Sequence, residues 1–302
     1  MTSWFFAAMK AEKIQTTEPG QKKPLISIIT VVLNGEIYLE QTIQSVLQQG
    51  SSLIEYIILD GGSTDGTLDI IRSYEDRIDF WQSEPDQGIF DAMNKGVRRA
   101  AGQFIGILNA DDWYEPFVLT TVMDKIESLP GTSDQIVFFC NYYQSDEELN
   151  PKVKTRKYST LNYWLGMTIS HQAMFINRAV YDRIGLYSLN YSLAADYEYF
   201  LRMVKNNVEF IKIDVHGVNV RRGGESIINI RKSLREASKI NRETFGLLSK
   251  EYLLFFLNNR IPALLVYLRL FLYNSIGRKK TAALRKIWKR LKSETEDVTI
   301  HS

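Results

Sequence analysis

Two adjacent carboxylates, Asp111 and Asp112, end an apolar run in the stretch FIGILNADD. The run, Phe104–Leu108, reads as a short buried strand. Like charges this close repel unless something cationic meets them. Oxygen clusters of this kind suit Mg²⁺ or Mn²⁺ with water and phosphate as co-ligands. In open α/β sheets ligands sit outside the carboxyl ends of the strands, which is where this pair falls. A solvated acidic turn, capping a helix that begins near Pro116, accounts for the same residues, so the stretch alone leaves both readings open.

Three more polar clusters follow runs that read as strands: Asn34, Asp60–Asp65 and Glu84–Gly88. Turns favour Asn, Asp, Gly and Ser for backbone reasons alone. Acids repeated after parallel strands nevertheless collect on one edge, where carboxylates can hydrogen-bond a base and a ribose. Gly61, Gly62 and Gly66 look like a phosphate loop. They lack both the Walker lysine and the GxGxxG spacing, which argues against a dinucleotide site.

Asp196 stands apart, at the start of a helical stretch after Ala194 and Ala195. Transfer of a group to a hydroxyl needs a general base within hydrogen-bond reach, and a carboxylate here could serve. An acid in a first helical turn also complements the helix dipole with no chemistry at all. His171 could donate to a phosphate or an acceptor oxygen, or be structural. Arg221 and Arg222, beside Gly223-Gly224, could clamp a diphosphate from a mobile loop or lie solvated on the surface. Cys140, in an apolar run, reads as a small core residue.

The elements that must position these groups alternate strand and helix. Leu25–Leu33 (LISIITVVL) is a continuous β-branched run, hence a central parallel-type strand. Helical spacing follows from Leu39 to about Gln49, then a strand over Ile54–Leu59 and a helix over Thr67–Tyr74 capped by Ser63 or Thr64. A strand near Ile78–Gln82, a helix over Ile89–Ala101, the strand Phe104–Leu108 and a helix over Phe117–Leu129 complete a βαβ series. Beyond it come a strand over Ile136–Cys140, a polar hairpin or loop over Asn141–Lys157 and a strand over His171–Ile176. A short helix capped by Asn177, a helix over Ala194–Lys205, a late strand over Val208–Ile213 and a glycine hinge at Arg221–Ser226 follow.

Bulk properties narrow the class. The 302 residues, 45% apolar and 24% charged, suit one large globular domain with an appendage. A net charge of +2 implies no global field for nucleic acid. One cysteine excludes an intrachain disulfide and a cysteine metal cluster, and three scattered histidines do not argue a zinc site. The chain reads as cytosol-facing. Trp4–Met9 is too short for a signal-peptide core, and residues 1–23 read as a disordered lead. Arg260, Pro262 and Arg269 interrupt the best candidate for a membrane span. From Tyr252 to Ile276 the chain is very apolar, and eight Lys or Arg follow between Gly277 and Lys292 with no acid. That pattern suits helices lying in a membrane interface, with a helical subdomain packed on the core as the alternative.

Taken in order, ISIITVVLNGEIYLEQTIQSVLQQ, YIILDGGSTDGTLDII and EPDQGIFDAMNKGVRRAAGQFIGILNADD resemble the family 2 glycosyltransferases with a GT-A fold. HQAMFINRAVYDRIG through LAADYEYFLRM adds a weaker match, and the bacterial O-antigen and exopolysaccharide enzymes are the nearest in pattern. The resemblance implies a GT-A (Rossmann-like) mixed, mainly parallel sheet flanked by helices over residues 24–226. Residues 227–302 would form a helical, basic, membrane-associating region. It implies Asn34, Asp60 and Gly61 around the donor base and ribose, Asp86 as a second nucleotide contact and Gly88 as a point of close backbone approach. Asn109-Ala110-Asp111 stands at the DxD motif, so Asp111 and Asp112 take the Mn²⁺ or Mg²⁺, and Asp196 falls at the catalytic base. The implied activity is an inverting hexosyl or N-acetylhexosaminyl transfer from a nucleotide-sugar donor, by preference a UDP-sugar. The implied acceptor is a lipid-linked saccharide at the cytoplasmic face of the inner membrane, an anionic surface, with no nucleic acid involved. A metal-dependent nucleotidyltransferase and a non-catalytic membrane scaffold are the rival readings.

Overall fold

The computed structural model describes residues 23–129, 133–145, 153–154, 166–167, 169–221 and 228–257. Contacts group the chain into two units, residues 1–158 with 169–230, and residues 159–168 with 231–302. Residues 1–22 of the expected lead at 1–23, Arg222 with the glycines after it, and residues 258–292 of the basic tail lie outside the described residues.

The first unit is built around β1 (Ile26–Val32), whose seven residues are all buried, as expected of a strand covered on both faces. It pairs in parallel with β2 (Ile54–Asp60) on one side and with β4 (Phe104–Asn109) on the other, and β3 (Phe80–Ser83) continues in parallel outside β2. Helices α1 (Leu39–Leu47), α2 (Thr67–Ser73) and α3 (Ile89–Arg99) supply the intervening connections. Ile28 on β1 joins a core with Leu39, Ile43 and Ile71. On the other face α3 approaches closely: a Cβ at Gly96 would lie 2.4 Å from Ile29 Cγ2, so only glycine lets this helix sit here.

Beyond β4 the sheet becomes mixed, in the order β3-β2-β1-β4-β8-β6-β9-β5. These strands are β5 (Trp113–Tyr114), β6 (Ile136–Ser145), β8 (Met174–Asn177) and β9 (Glu209–Arg221), with β7 (Val153–Lys154) pairing with β6 as the expected hairpin. Helices α4 (Val118–Glu127), α5 (Arg178–Ile184) and α6 (Ala195–Lys205) complete the unit. Asn177 caps α5 as read from the sequence, its side chain accepting from the Ala179 N–H at 2.9 Å. The α2 cap differs. Asp65, rather than Ser63 or Thr64, accepts from the Thr67 N–H at 3.0 Å.

Two further differences shape the site. The stretch expected as a strand from His171 begins instead as a 3₁₀ turn, His171–Ala173, with β8 only from Met174. β8 pairs with β4 only over Phe104–Gly106, which leaves the turn free to aim its polar side chains at the carboxyl end of β4. The late strand runs thirteen residues rather than six, because β9 pairs in parallel with the whole of β6 through Ser145↔Arg221. A register shift between Cys140 and Tyr142 absorbs the polar residues that break the apolar pattern. Arg221 therefore ends a strand, and the rest of the expected glycine hinge lies outside the described residues.

In the second unit α7 (Ile230–Phe245) exposes Arg231, Lys232 and Arg235. Among the described residues no helix is long and apolar enough to cross a membrane.

Candidate active site

The parallel register carries the four polar clusters to one edge: Val32 lies beside Asp60, Asp60 beside Ser83, and Val31 beside Asn109. The loops after β1 and β2 are tied together. The Asn34 N–H donates to Ser63 Oγ at 2.7 Å, and Asn34 Oδ1 accepts from the Thr64 N–H at 2.9 Å. Asn34 takes a positive φ of 53°, a conformation Asn tolerates better than most residues. Asp60, only 2% exposed, accepts from the N–H groups of Gly62 and Ser63 and from the hydroxyls of Ser63 and Ser83. Its carboxylate thus shapes the 61–66 loop.

Asp86 is placed differently. One oxygen accepts from the Gly88 N–H at 2.8 Å, while the other lies over Gly61, where a Cβ would come within 2.5 Å of it. Gly61 is thus the residue that lets the Asp86 carboxylate lie over the loop. Gly88 adopts φ 109° at the start of α3, which favours glycine there too.

The acid pair after β4 is not symmetric. Asp112 is 2% exposed and both its oxygens are taken: Gln172 Nε2 donates to Oδ2 at 2.7 Å and the Arg221 N–H to Oδ1 at 2.8 Å. Thr42 on α1 donates from its hydroxyl to the main-chain oxygens of Ala110 and Asp112, holding the loop to the helix. Among the described residues no other side chain bonds the Asp111 carboxylate. Burial raises Asp111 above the ordinary carboxylate range, with Arg221 and His171 pulling the other way. Asp112 is pushed up to about 7, first by burial and then by the neighbouring Asp111 charge. Arg221 braces the loop: its Nε donates to the Asp111 main-chain oxygen at 3.1 Å, Nη2 reaches Gln41, and the guanidinium lies 3.9 Å over the Tyr38 ring.

Two features test whether these residues suit a divalent ion. Among the described residues Asn109 Oδ1 is buried with no hydrogen-bond partner, and no side chain bonds the Asp111 carboxylate two positions on. No group of three or more His, Cys, Asp or Glu is gathered for a metal among the described residues. The donor set fits an oxygen-seeking ion that keeps water and phosphate ligands, with Asp111 as the protein carboxylate. Asp112, expected as a second ligand, accepts one hydrogen bond at each oxygen from within the protein, from Gln172 and from the Arg221 main chain, and so is held more firmly than Asp111.

Asp196 lies in the first turn of α6, and its Oδ2 is 3.3 Å from His171 Nδ1. His171 Nε2 is buried and has no hydrogen-bond partner among the described residues. Behind them Tyr181, Tyr187 and Tyr199 form a packed aromatic wall, with Tyr187 and Tyr199 4.7 Å apart between ring centres. Asn94 on α3 clamps Tyr187 with both ends of its amide, at 2.9 Å each. Arg202 donates to the main-chain oxygens of Ile184 and Leu186, which sets α6 against that segment. Sequence reasoning missed Gln172, Thr42 and Asn94. Only the proximity of Gln172 to His171 in HQ offered a signal, since none of the three belongs to a charged cluster.

The structure therefore brings together two carboxylate centres, Asp111/Asp112 and Asp196, through one turn at residues 171–172. A family model described as glycosyl transferase family 2 matches residues 27–185, more than half the chain. The chain belongs to glycosyl transferase family 2. It is 32% identical over 192 residues to a PGL/p-HBAD biosynthesis glycosyltransferase of Mycobacterium bovis, covering 61% of this chain and 71% of the relative. Two solved structures share the GT-A-like fold. The mannosyltransferase PcManGT from Pyrobaculum calidifontis, in complex with GDP-Man and Mn²⁺, superposes with a TM-score of 0.63 at 16% identity, over 89% of this chain and 81% of that one. TarS of S. aureus, in complex with UDP-GlcNAc, gives 0.60 at 17% identity, over 78% and 73%.

Proposed function

We propose that this family 2 glycosyltransferase moves a hexosyl or N-acetylhexosaminyl group, with inversion, from a nucleotide-sugar donor to a hydroxyl of a lipid-linked saccharide. The observation that carries the reading is the pairing of a donor-side acid centre at Asp111 with a separate acid, Asp196, on α6, both braced by the 171–172 turn. An inverting transfer needs groups on opposite sides of the reacting carbon, one facing the leaving diphosphate and one facing the incoming hydroxyl. The loop built by Asn34 and Asp60, with Asp86 over Gly61 and the chain passing close at Gly88, receives the base and ribose. Asp111 would hold a divalent ion, Mn²⁺ or Mg²⁺, which would supply positive charge to the departing diphosphate. Asp112, fixed by Gln172 and the Arg221 main chain, keeps the Asp111 loop in place. Asp196 and His171 form the side that draws off the acceptor proton. A UDP-sugar is the preferred donor, although the fold is shared with proteins solved with UDP-GlcNAc and with GDP-Man.

The acceptor class rests on the apolar and basic pattern after Tyr252, which suits attachment to an anionic membrane face, in our reading the cytoplasmic face of the inner membrane. Surface polysaccharide synthesis is the process such an acceptor serves. Incubation with a panel of UDP- and GDP-sugars, with Mn²⁺ or with EDTA, tests the reaction. The expected result is metal-dependent release of nucleoside diphosphate from one donor, increased by a lipid-linked saccharide extract. Release of pyrophosphate instead, or no donor consumption at all, refutes the transferase reading.

A further inference from the structure

We propose that the acceptor proton is taken by Nε2 of His171, with Asp196 holding the imidazole in position, so that the base is a carboxylate–imidazole pair. The inference rests on the transferase reading above and names the atom that performs one of its steps.

Three observations carry it. First, His171 Nδ1 faces Asp196 Oδ2 at 3.3 Å, and a carboxylate can only accept, so the proton of a neutral imidazole belongs on Nδ1. Second, Nε2 then carries a lone pair, and it is the atom of this ring that is buried with no hydrogen-bond partner among the described residues. A buried polar atom without a partner costs free energy unless a ligand satisfies it, and a substrate hydroxyl is a donor of the right kind. Third, Asp196 Oδ1 accepts from the Tyr197 N–H at 2.8 Å while Oδ2 faces the ring, which fixes the carboxylate that orients the imidazole. His171 also lies on the path between the two acid centres. The next residue, Gln172, holds Asp112 directly. The 3.3 Å separation is long for a hydrogen bond, as catalytic contacts often are before substrate binds.

The step balances as follows. The acceptor oxygen forms its bond to the anomeric carbon while the bond from that carbon to the donor diphosphate breaks, its electron pair leaving with the diphosphate oxygen. The acceptor O–H proton passes to His171 Nε2. The resulting imidazolium, stabilised by Asp196 through Nδ1–H, later returns its proton to water. Third-group orientation of a base in this way is a recurring arrangement in nucleophile activation.

The test compares His171→Asn, Asp196→Asn and the double variant with wild type in donor turnover, in UDP–Mn²⁺ calorimetry and in thermal melting. Imidazole ¹⁵N NMR adds a readout independent of turnover, simplified by there being only three histidines. The expected result is a fall in kcat of about a hundredfold or more in each single variant, with the double variant no worse, since groups acting as a unit are not additive. UDP–Mn²⁺ affinity should stay within about threefold, because among the described residues neither side chain bonds the loops at residues 34 and 60–66 or the Asp111 carboxylate. In wild type NMR should show neutral His171 protonated on Nδ1, and Asp196→Asn should release that preference. A folded His171→Asn variant with near-normal kcat overturns the assignment and returns the proton to Asp196. So does a wild-type ring protonated on Nε2, or a UDP–Mn²⁺ affinity that falls about tenfold in His171→Asn, which would mean that Nε2 serves the donor metal. Wild-type protein that consumes no donor refutes the transferase reading itself, and the NMR result then still decides whether Asp196 holds the ring.

Discussion

Replacing Asp60 and Asp86 by Ala, one at a time, separates two carboxylates that look equivalent in sequence. Asp60 is buried and accepts four hydrogen bonds, from two main-chain N–H groups and two serine hydroxyls. Asp86 accepts one, from Gly88, and keeps its other oxygen over Gly61. A hydrogen bond to a charged group contributes about 1.5–3 kcal/mol, but the donors around Asp60 are partly open to water and regain some of that by hydration. The net expectation for Asp60→Ala is a loss of about 2–4 kcal/mol. Asp86→Ala removes a single contact at a half-exposed position and should cost about 1 kcal/mol or less, yet weaken UDP binding about tenfold or more. Urea titration gives the stabilities, and calorimetry with UDP and Mn²⁺ gives the affinities. An Asp60→Ala protein as stable as wild type that has lost UDP binding would show Asp60 to be a direct ligand. Unchanged UDP affinity in Asp86→Ala would remove it from the nucleotide site.

Metal-free protein should lose stability as pH rises, through Asp112. Its folded pKa, about 7, lies above the usual 3.8, so its stabilising contribution is complete below the lower value and is lost as pH climbs through the upper one. A shift of this size corresponds to at most about 4 kcal/mol, and Asp112→Asn should flatten the profile; equal slopes for both proteins in EDTA, by urea titration from acid to neutral pH, would contradict it. Gly217→Ala should lower the melting temperature, because the new Cβ would sit 2.1 Å from Val118 Cγ2 and 2.9 Å from Cys140 Sγ, an overpacking that costs about 1–3 kcal/mol; an unchanged melting point would refute the packing. Full-length protein should sediment with anionic vesicles, more weakly at high salt, and Gln at Lys279, Lys280, Arg285 and Lys286 should blunt that salt dependence. Protein that stays in the supernatant at low salt would rule the membrane tail out.

The strands and helices of the nucleotide half were legible because each carries its own periodicity. ISIITVV, bounded by Asn34-Gly35, can be buried on both faces only as a central strand, and IFDAMNKGVRR shows one apolar face at helical spacing. The gathering of Asn34, Asp60, Asp86 and Asp111 on one edge followed from the same pattern, since parallel strands joined by helices must share their carboxyl ends. What the sequence could not decide is which carboxylate is free. Asp60 and Asp86, like Asp111 and Asp112, differ in role through partners distant in the chain: Ser83 for Asp60, and Gln172 and Arg221 for Asp112. The length of β9 and the turn at His171 were likewise hidden. A strand extends as far as its neighbour offers a ladder, and here that neighbour is β6, more than sixty residues earlier in the chain. The 3.3 Å approach of His171 to Asp196 depends on where α6 is clamped, by Arg202 to the segment after α5, which is itself tied to α3 through Asn94 and Tyr187. Local propensity sets the elements. Contacts made only after those elements have packed decide which of their polar side chains remain open to a substrate.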